Sequence, residues 1–130
     1  MKKYAVLTMA ALGLTAPALA HHSMAMFDGT KTIVLVGTVK EMQWTNPHAW
    51  LQVMVAQPGG PEVEWSFEME GPNVMQRSGW KKTSVKPGDK VTVTASPLKD
   101  GRPGGAFINI TLADGSKLGR EIKPAAPPAQ

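Results

Sequence analysis

Alternation of apolar and polar positions is clearest in "EVEWSFEME", residues 62–70. There Val63, Trp65, Phe67 and Met69 fall on one side, and Glu62, Glu64, Ser66, Glu68 and Glu70 on the other. A period of two is the signature of a strand with one face on a core. Earlier in the chain, "KTIVLVGTVKEMQW" is rich in β-branched residues and interrupted by Gly37, which predicts a long strand with a bulge or sharp bend at the glycine. "TNPHAW" ends that strand, because Pro47 lacks an amide proton and restrains Asn46, and "WLQVMVA" then reads as a second strand. "QPGGP" is the turn into the alternating third strand.

Beyond residue 70 the pattern changes. Pro72 suits a first helical turn and Gly79 a helix end, so "GPNVMQRSGW" predicts a short helix. "KPGDKVTVTASPL" reads as a turn and a fourth strand, "KDGRPGG" as a Gly-rich loop and "AFINITLADG" as a fifth strand, with a brief sixth near "SKLGR". The expected fold is therefore mainly β: a small five- to six-stranded antiparallel barrel, OB-like, with one short helix between strands 3 and 4. An antiparallel sandwich or a meander barrel competes for the same strands.

The start of the chain adds an address. Lys2 and Lys3, the apolar run "AVLTMAALGL" and the ending "APALA" form a secretory signal peptide, with cleavage expected after Ala20. That run is too short to span a bilayer and no later run is longer, so the expected mature form is periplasmic and has no membrane span. The expected organisation is a signal peptide over 1–20, an N-terminal His/Met segment over 21–30, a β-barrel domain over 31–120, and a disordered Pro/Ala tail over 121–130. Loss of Lys2 and Lys3 lowers the basic count from 14 to 12 against 10 acids, a balance that specifies no class of partner. The chain has no cysteine, which excludes disulfide staples, thiol chemistry and Cys-based zinc sites.

Candidate chemistry gathers at "HHSMAMFD". Cleavage after Ala20 would let His21 offer both its α-amine and its imidazole to one ion, with His22 adding a second imidazole. Such nitrogens suit Cu(II), while the thioethers of Met24 and Met26 suit Cu(I), and no oxygen-only cage for calcium is visible. The third histidine, His48, lies in the loop joining the first two strands, where a folded-over N-terminus would bring it to the His21/His22 pair. Asp28 and Asn46 are the nearest candidates for outer hydrogen-bond acceptors to the imidazoles.

Each of these features also has a plainer reading. His-His is compatible with a polar, disordered N-terminus, Met24 and Met26 with gap-filling under a barrel edge, and His48 with a turn cap. Trp44, Asn46 and Trp50 bracket a loop that serves either as a lid on the barrel or as a binding rim for a small ligand or another protein. The glutamate face of the third strand reads as a solvated surface with Lys81, Lys82 and Lys86 as counter-charges, or as a dock for a basic partner. With the export signal, that acidic face argues against nucleic acid as a partner. No G-x-S-x-G serine, Walker pattern or dinucleotide pattern occurs, so no hydrolase or nucleotide site is expected, and a copper oxidoreductase built on the His21 chelate ranks behind simple binding.

Taken in order, "HHSMAMFD", "VGTVKEMQWTNPHAWLQV", "GPNVMQRSGW" and "VKPGDKVTVTASPLKDGRPGGAF" resemble domain-of-unknown-function family 6152, small exported bacterial proteins. The resemblance covers nearly all of residues 21–118. It implies export and a compact β-rich domain, and brings no activity, substrate or cofactor. The expected function is accordingly read from the residues: transition-metal binding, copper first, for carriage, buffering or sensing. The alternative is a metal-free module for a small ligand or a protein, built on the Trp44 to Trp50 rim.

Overall fold

The computed structural model describes residues 24–122, so the predicted signal peptide, His21, His22 and most of the predicted tail lie outside the described residues. The strands are β1 (Ile33–Gln43), β2 (Trp50–Gln57), β3 (Gly60–Glu68), β4 (Lys90–Pro97), β5 (Gly104–Leu112) and β6 (Lys117–Gly119), with helix α1 (Pro72–Arg77) between β3 and β4. They form one sheet in the order β3-β2-β1-β4-β5-β6, and a further β3–β5 pairing closes it on itself. Five strands closed in this order, with a helix after the third, make an OB-type barrel, as the strand pattern predicts. Neighbours in the list run antiparallel, whereas the closing seam is parallel, pairing Ser66, Phe67 and Glu68 with Gly104, Gly105 and Ala106.

β1 serves two partners. Its first half, from Ile33 to Thr38, pairs with β4, and its second half, from Thr38 to Gln43, pairs with β2. The expected bulge is present but displaced: the register slips between Val39 and Glu41, leaving Lys40 as the extra residue. Gly37 instead marks where β1 crosses closest to β2, since a Cβ there would stand 2.5 Å from the Met54 carbonyl oxygen. The register slip falls just beyond this approach, where the strand changes partners.

The core follows from alternation. Leu51, Val53 and Val55 of β2 and Val91, Val93 and Ala95 of β4 point inward, and Phe67, Leu51, Ile110, Val39, Val53 and Val93 are the largest fully buried side chains. α1 has only six residues, too few to be stable alone, and is held by burial of Pro72 and Met75 and of Trp80 just beyond it. Trp80 meets Phe107 edge to face at 5.6 Å between ring centroids. Pro72 opens the helix and Gly79, at φ +89°, follows its end, both as the sequence predicts. β5 starts inside the predicted "KDGRPGG" loop, because Gly104 and Gly105 are recruited into the seam.

The N-terminal segment lies along the barrel as a strap. Met24–Met26 form a 3-10 turn, Phe27 bridges to Leu98, the Lys99 amide donates to the Met26 carbonyl at 3.0 Å, and the Asp28 amide donates to the Pro97 carbonyl at 2.8 Å. Phe27 is the residue that packs, while Met24 and Met26 are exposed, so gap-filling is not their role.

Asp28 ends the strap in a turn. Its carboxylate accepts from the Thr30 hydroxyl at 2.6 Å and the Thr30 amide at 3.1 Å, and faces Lys31 Nζ at 3.2 Å. The Thr30 hydroxyl and then Lys31 hold its carboxyl below the ordinary aspartate value of 3.8. A lowered carboxylate contributes stability that is complete above its unfolded-state pKa and is lost as pH falls through the folded-state value. An NMR titration of the Thr30 amide is therefore expected to show a midpoint below 3.8, and a midpoint at or above that value would show that the turn does not hold the charge.

Candidate functional site

Pro47 stops β1 from running into β2, and the loop it creates is laced to the segment after β3. The Asn46–Pro47 peptide is cis, and the Thr45 hydroxyl donates to the His48 carbonyl at 2.9 Å. Fully buried Ala49 donates its amide to the Glu70 carbonyl at 3.1 Å and accepts at its own carbonyl from the Met69 amide at 2.9 Å. This lacing sets the His48 side chain over the end of β3. Its Nδ1 lies 2.9 Å from the Met69 carbonyl oxygen. A carbonyl only accepts, so Nδ1 carries a proton and donates it. Nε2 lies 3.6 Å from Glu68 Oε1.

Glu68 is the residue that sequence reasoning misplaced. Strict alternation assigns it to a solvated acidic face, yet only 8% of it is exposed. Glu62 and Glu64 do lie on the surface, where Glu64 pairs with Lys40, the bulged residue of β1, and not with Lys81, Lys82 or Lys86. The strap, α1 and β5 all contribute residues to the cleft that Glu68 lines. The available signal was the helix start at Pro72, four residues after Glu68, because a strand running directly into a capping helix does not keep both faces in solvent.

A cleft of about 460 Å³ opens beside this pair, with Met24, His48, Glu68, Met69, Met75 and Trp80 in its walls and Arg120 among its other lining residues. Of the sequence-predicted residues, the cleft brings together His48 and Met24. Trp44 and Trp50 are half-buried and Asn46 is exposed, and none of the three lines the cleft. Trp44 packs against the core. The Asp28 carboxylate bonds Thr30 and Lys31, and the Met69 carbonyl takes the outer position against the imidazole that had been expected of Asp28 or Asn46. Among the described residues, no group of three or more His, Cys, Asp or Glu stands close enough to hold a metal ion. What they do present together is one imidazole, one carboxylate and, in the same cleft, the Met24 thioether.

The profile described as "Family of unknown function (DUF6152)" matches residues 9–107. No curated protein matches the chain. Solved structures with a similar course include two crystal structures of Rim1, the mitochondrial single-stranded DNA binding protein of S. cerevisiae. One has 13% identity and a TM-score of 0.49, covering 64% of this chain and 93% of that one. The other has 15% identity and a TM-score of 0.44, covering 69% of this chain and 97% of that one. The exclusion of nucleic acid drawn from the sequence is corrected here, because both structures are of a single-stranded DNA binding protein. The acidic face behind that exclusion is also weaker than the sequence suggests, with Glu64 paired to Lys40 and Glu68 buried. Among the described residues no helix is long and apolar enough to cross a membrane. The chain belongs to DUF6152.

Proposed function

We propose, for this member of DUF6152, an exported periplasmic protein that binds a transition metal, copper first, for carriage, buffering or sensing. His21, through its α-amine and imidazole, and His22 form the chelate left by cleavage after Ala20, His48 adds a third nitrogen, and Met24 and Met26 are soft auxiliaries. The observation that carries this reading is that Met24 lines the same cleft as His48. Position 21 is three residue steps before position 24, and an extended chain of that length reaches about 10 Å, so the N-terminal chelate has the span to meet the cleft.

The test is a calorimetric titration with Cu(II) of protein beginning at His21, beside a His21→Ala, His22→Ala variant and a His48→Ala variant. Tight one-to-one binding by the parent and a large loss of affinity in both variants is the expected result. Equal, weak binding by all three proteins would remove the metal reading. The cleft itself supports a second reading, a metal-free small-ligand module, since its volume lies in the range of small-molecule sites. That reading moves the ligand from the Trp44 to Trp50 rim into the cleft.

A further inference from the structure

The net positive charge of this protein is concentrated in one stretch. Residues 77–90 hold Arg77, Lys81, Lys82, Lys86 and Lys90 against the single acid Asp89, a balance equal to the +4 of the whole chain, so the other residues together are neutral. Elsewhere Lys31 faces Asp28, Lys40 faces Glu64 and Arg102 faces Asp100. Among the described residues, Arg77, Lys81, Lys82 and Lys86 have no ion-pair partner, while Lys90 donates to the Thr38 hydroxyl. The glutamates that alternation offers them as counter-charges are committed elsewhere, Glu64 to Lys40 and buried Glu68 to His48.

The fold holds these charges on a fixed face. Trp80 and Val85 are buried and pin the segment at two points, which leaves Lys81, Lys82 and Lys86 exposed around them. Ser84 Oγ accepts from the Lys81 amide at 2.8 Å and the Ser84 amide donates to the Lys81 carbonyl at 2.9 Å. Asp89 repeats the device: its carboxylate accepts from the Lys86 amide at 2.9 Å and its amide donates to the Lys86 carbonyl at 3.1 Å. The one acid of the stretch is thus engaged by backbone. α1 buries Pro72 and Met75, so it presents Arg77 and, three positions earlier on the same side, Val74, which borders the cleft and is 40% exposed.

Like charges held together without counter-charges attract a partner that carries many anions. We infer that this face docks on an anionic phospholipid surface, with Arg77, Lys81, Lys82 and Lys86 against the lipid phosphates and Val74 at the headgroup boundary. Each Lys or Arg brought to such a surface contributes about fivefold in affinity. Single-stranded nucleic acid shares the phosphate chemistry but also stacks its bases on exposed aromatic rings. The large hydrophobic residues exposed among the described residues are Met24, Met26, Val34, Val36, Val74 and Ile122, and none is aromatic. The proposal is independent of the metal reading, since it uses none of the proposed ligands.

The experiment is co-sedimentation of metal-free protein beginning at His21 with vesicles of phosphatidylcholine alone and of equimolar phosphatidylcholine and phosphatidylglycerol. A Lys81→Ala, Lys82→Ala, Lys86→Ala variant is set beside a Lys31→Ala, Lys99→Ala, Lys117→Ala variant, which loses the same charge but keeps the face. The parent is expected to bind only the anionic vesicles, more weakly as salt rises. The first variant is expected to bind about 100-fold more weakly, and the second nearly as the parent does. Equal losses in the two variants would reduce the attraction to net charge and overturn the docking face, and so would a parent that ignores the anionic vesicles. Tighter, lysine-dependent binding to single-stranded oligodeoxythymidylate at the same salt would overturn the lipid assignment in favour of nucleic acid. Should a variant fold poorly, the unaltered protein decides the question: spin-labelled anionic lipid is expected to broaden the amide resonances of residues 74–86 before others, and broadening centred elsewhere would overturn the proposal.

Discussion

Replacing Phe67 with alanine is expected to destabilise the barrel by about 3–5 kcal/mol, the range for deleting a buried aromatic ring. The upper part of that range applies because the site cannot easily collapse. Phe67 is fully buried near the end of β3, opposite Leu51 on one side and Gly105 on the other. Gly105 has no side chain to move into the space. Trp65 stacks on the ring at 6.2 Å between centroids, but it is anchored one pair along the same strand. Small domains have about 5–15 kcal/mol in total, and this one has no cysteine from which to build a disulfide. Denaturant unfolding with an unchanged m-value is the measurement. A loss under about 1 kcal/mol would mean that the ring is not the keystone its burial implies.

The second large effect lies at the seam. A Cβ on Gly105 would stand 2.4 Å from the Ser96 carbonyl oxygen and 3.3 Å from Ala95 Cβ. The nearer obstacle is backbone of β4 and cannot swing aside as a side chain would. Gly105→Ala therefore forces β5 away from β4 or from β3, at about 1–3 kcal/mol for overpacking, and Gly105→Val at the top of that range or beyond. The seam is the weaker attachment, since β3 and β5 share only the pairs Ser66 with Gly104, Phe67 with Gly105, and Glu68 with Ala106. Hydrogen exchange in the alanine variant is expected to show lost protection at Phe67 and Glu68 before the β1–β2 pairing is affected. Stability within about 0.5 kcal/mol of the parent, with the seam amides still protected, would contradict this account. Because Glu68 and Ala106 line the cleft, an open seam also disturbs the cleft.

The strands and the helix were legible because they follow from local chemistry: alternation for β2, β3 and β4, Pro72 and Gly79 for α1, and Pro47 for the break before His48. What was hidden is nonlocal. A strand's period says which residues share a face and nothing about what later packs near that face, so Glu68 read as solvated although it is buried beside a cleft shared with the strap, α1 and β5. Gly37 advertised flexibility, but the bulge fell at Lys40, where β1 leaves β4 for β2, and no local signal marks a change of partner. Phe27 in a histidine- and methionine-rich segment is a single aromatic with no period around it, so its bridge to Leu98 left no trace in the pattern. His48 was identifiable as a loop histidine. Its partners Glu68 and Met69 lie far along the chain, and only the barrel brings them together.

The division of β1 between two partners has a kinetic consequence. Its second half can form a hairpin with β2 as soon as both exist, but its first half must wait for β4, pairing Ile33 with Ala95. Closure waits longer still, for β5 to reach β3. No early portion of the chain can complete a barrel of its own, and the search for these distant pairings places folding on the order of milliseconds to seconds, the slow regime of sheet topologies built from remote segments.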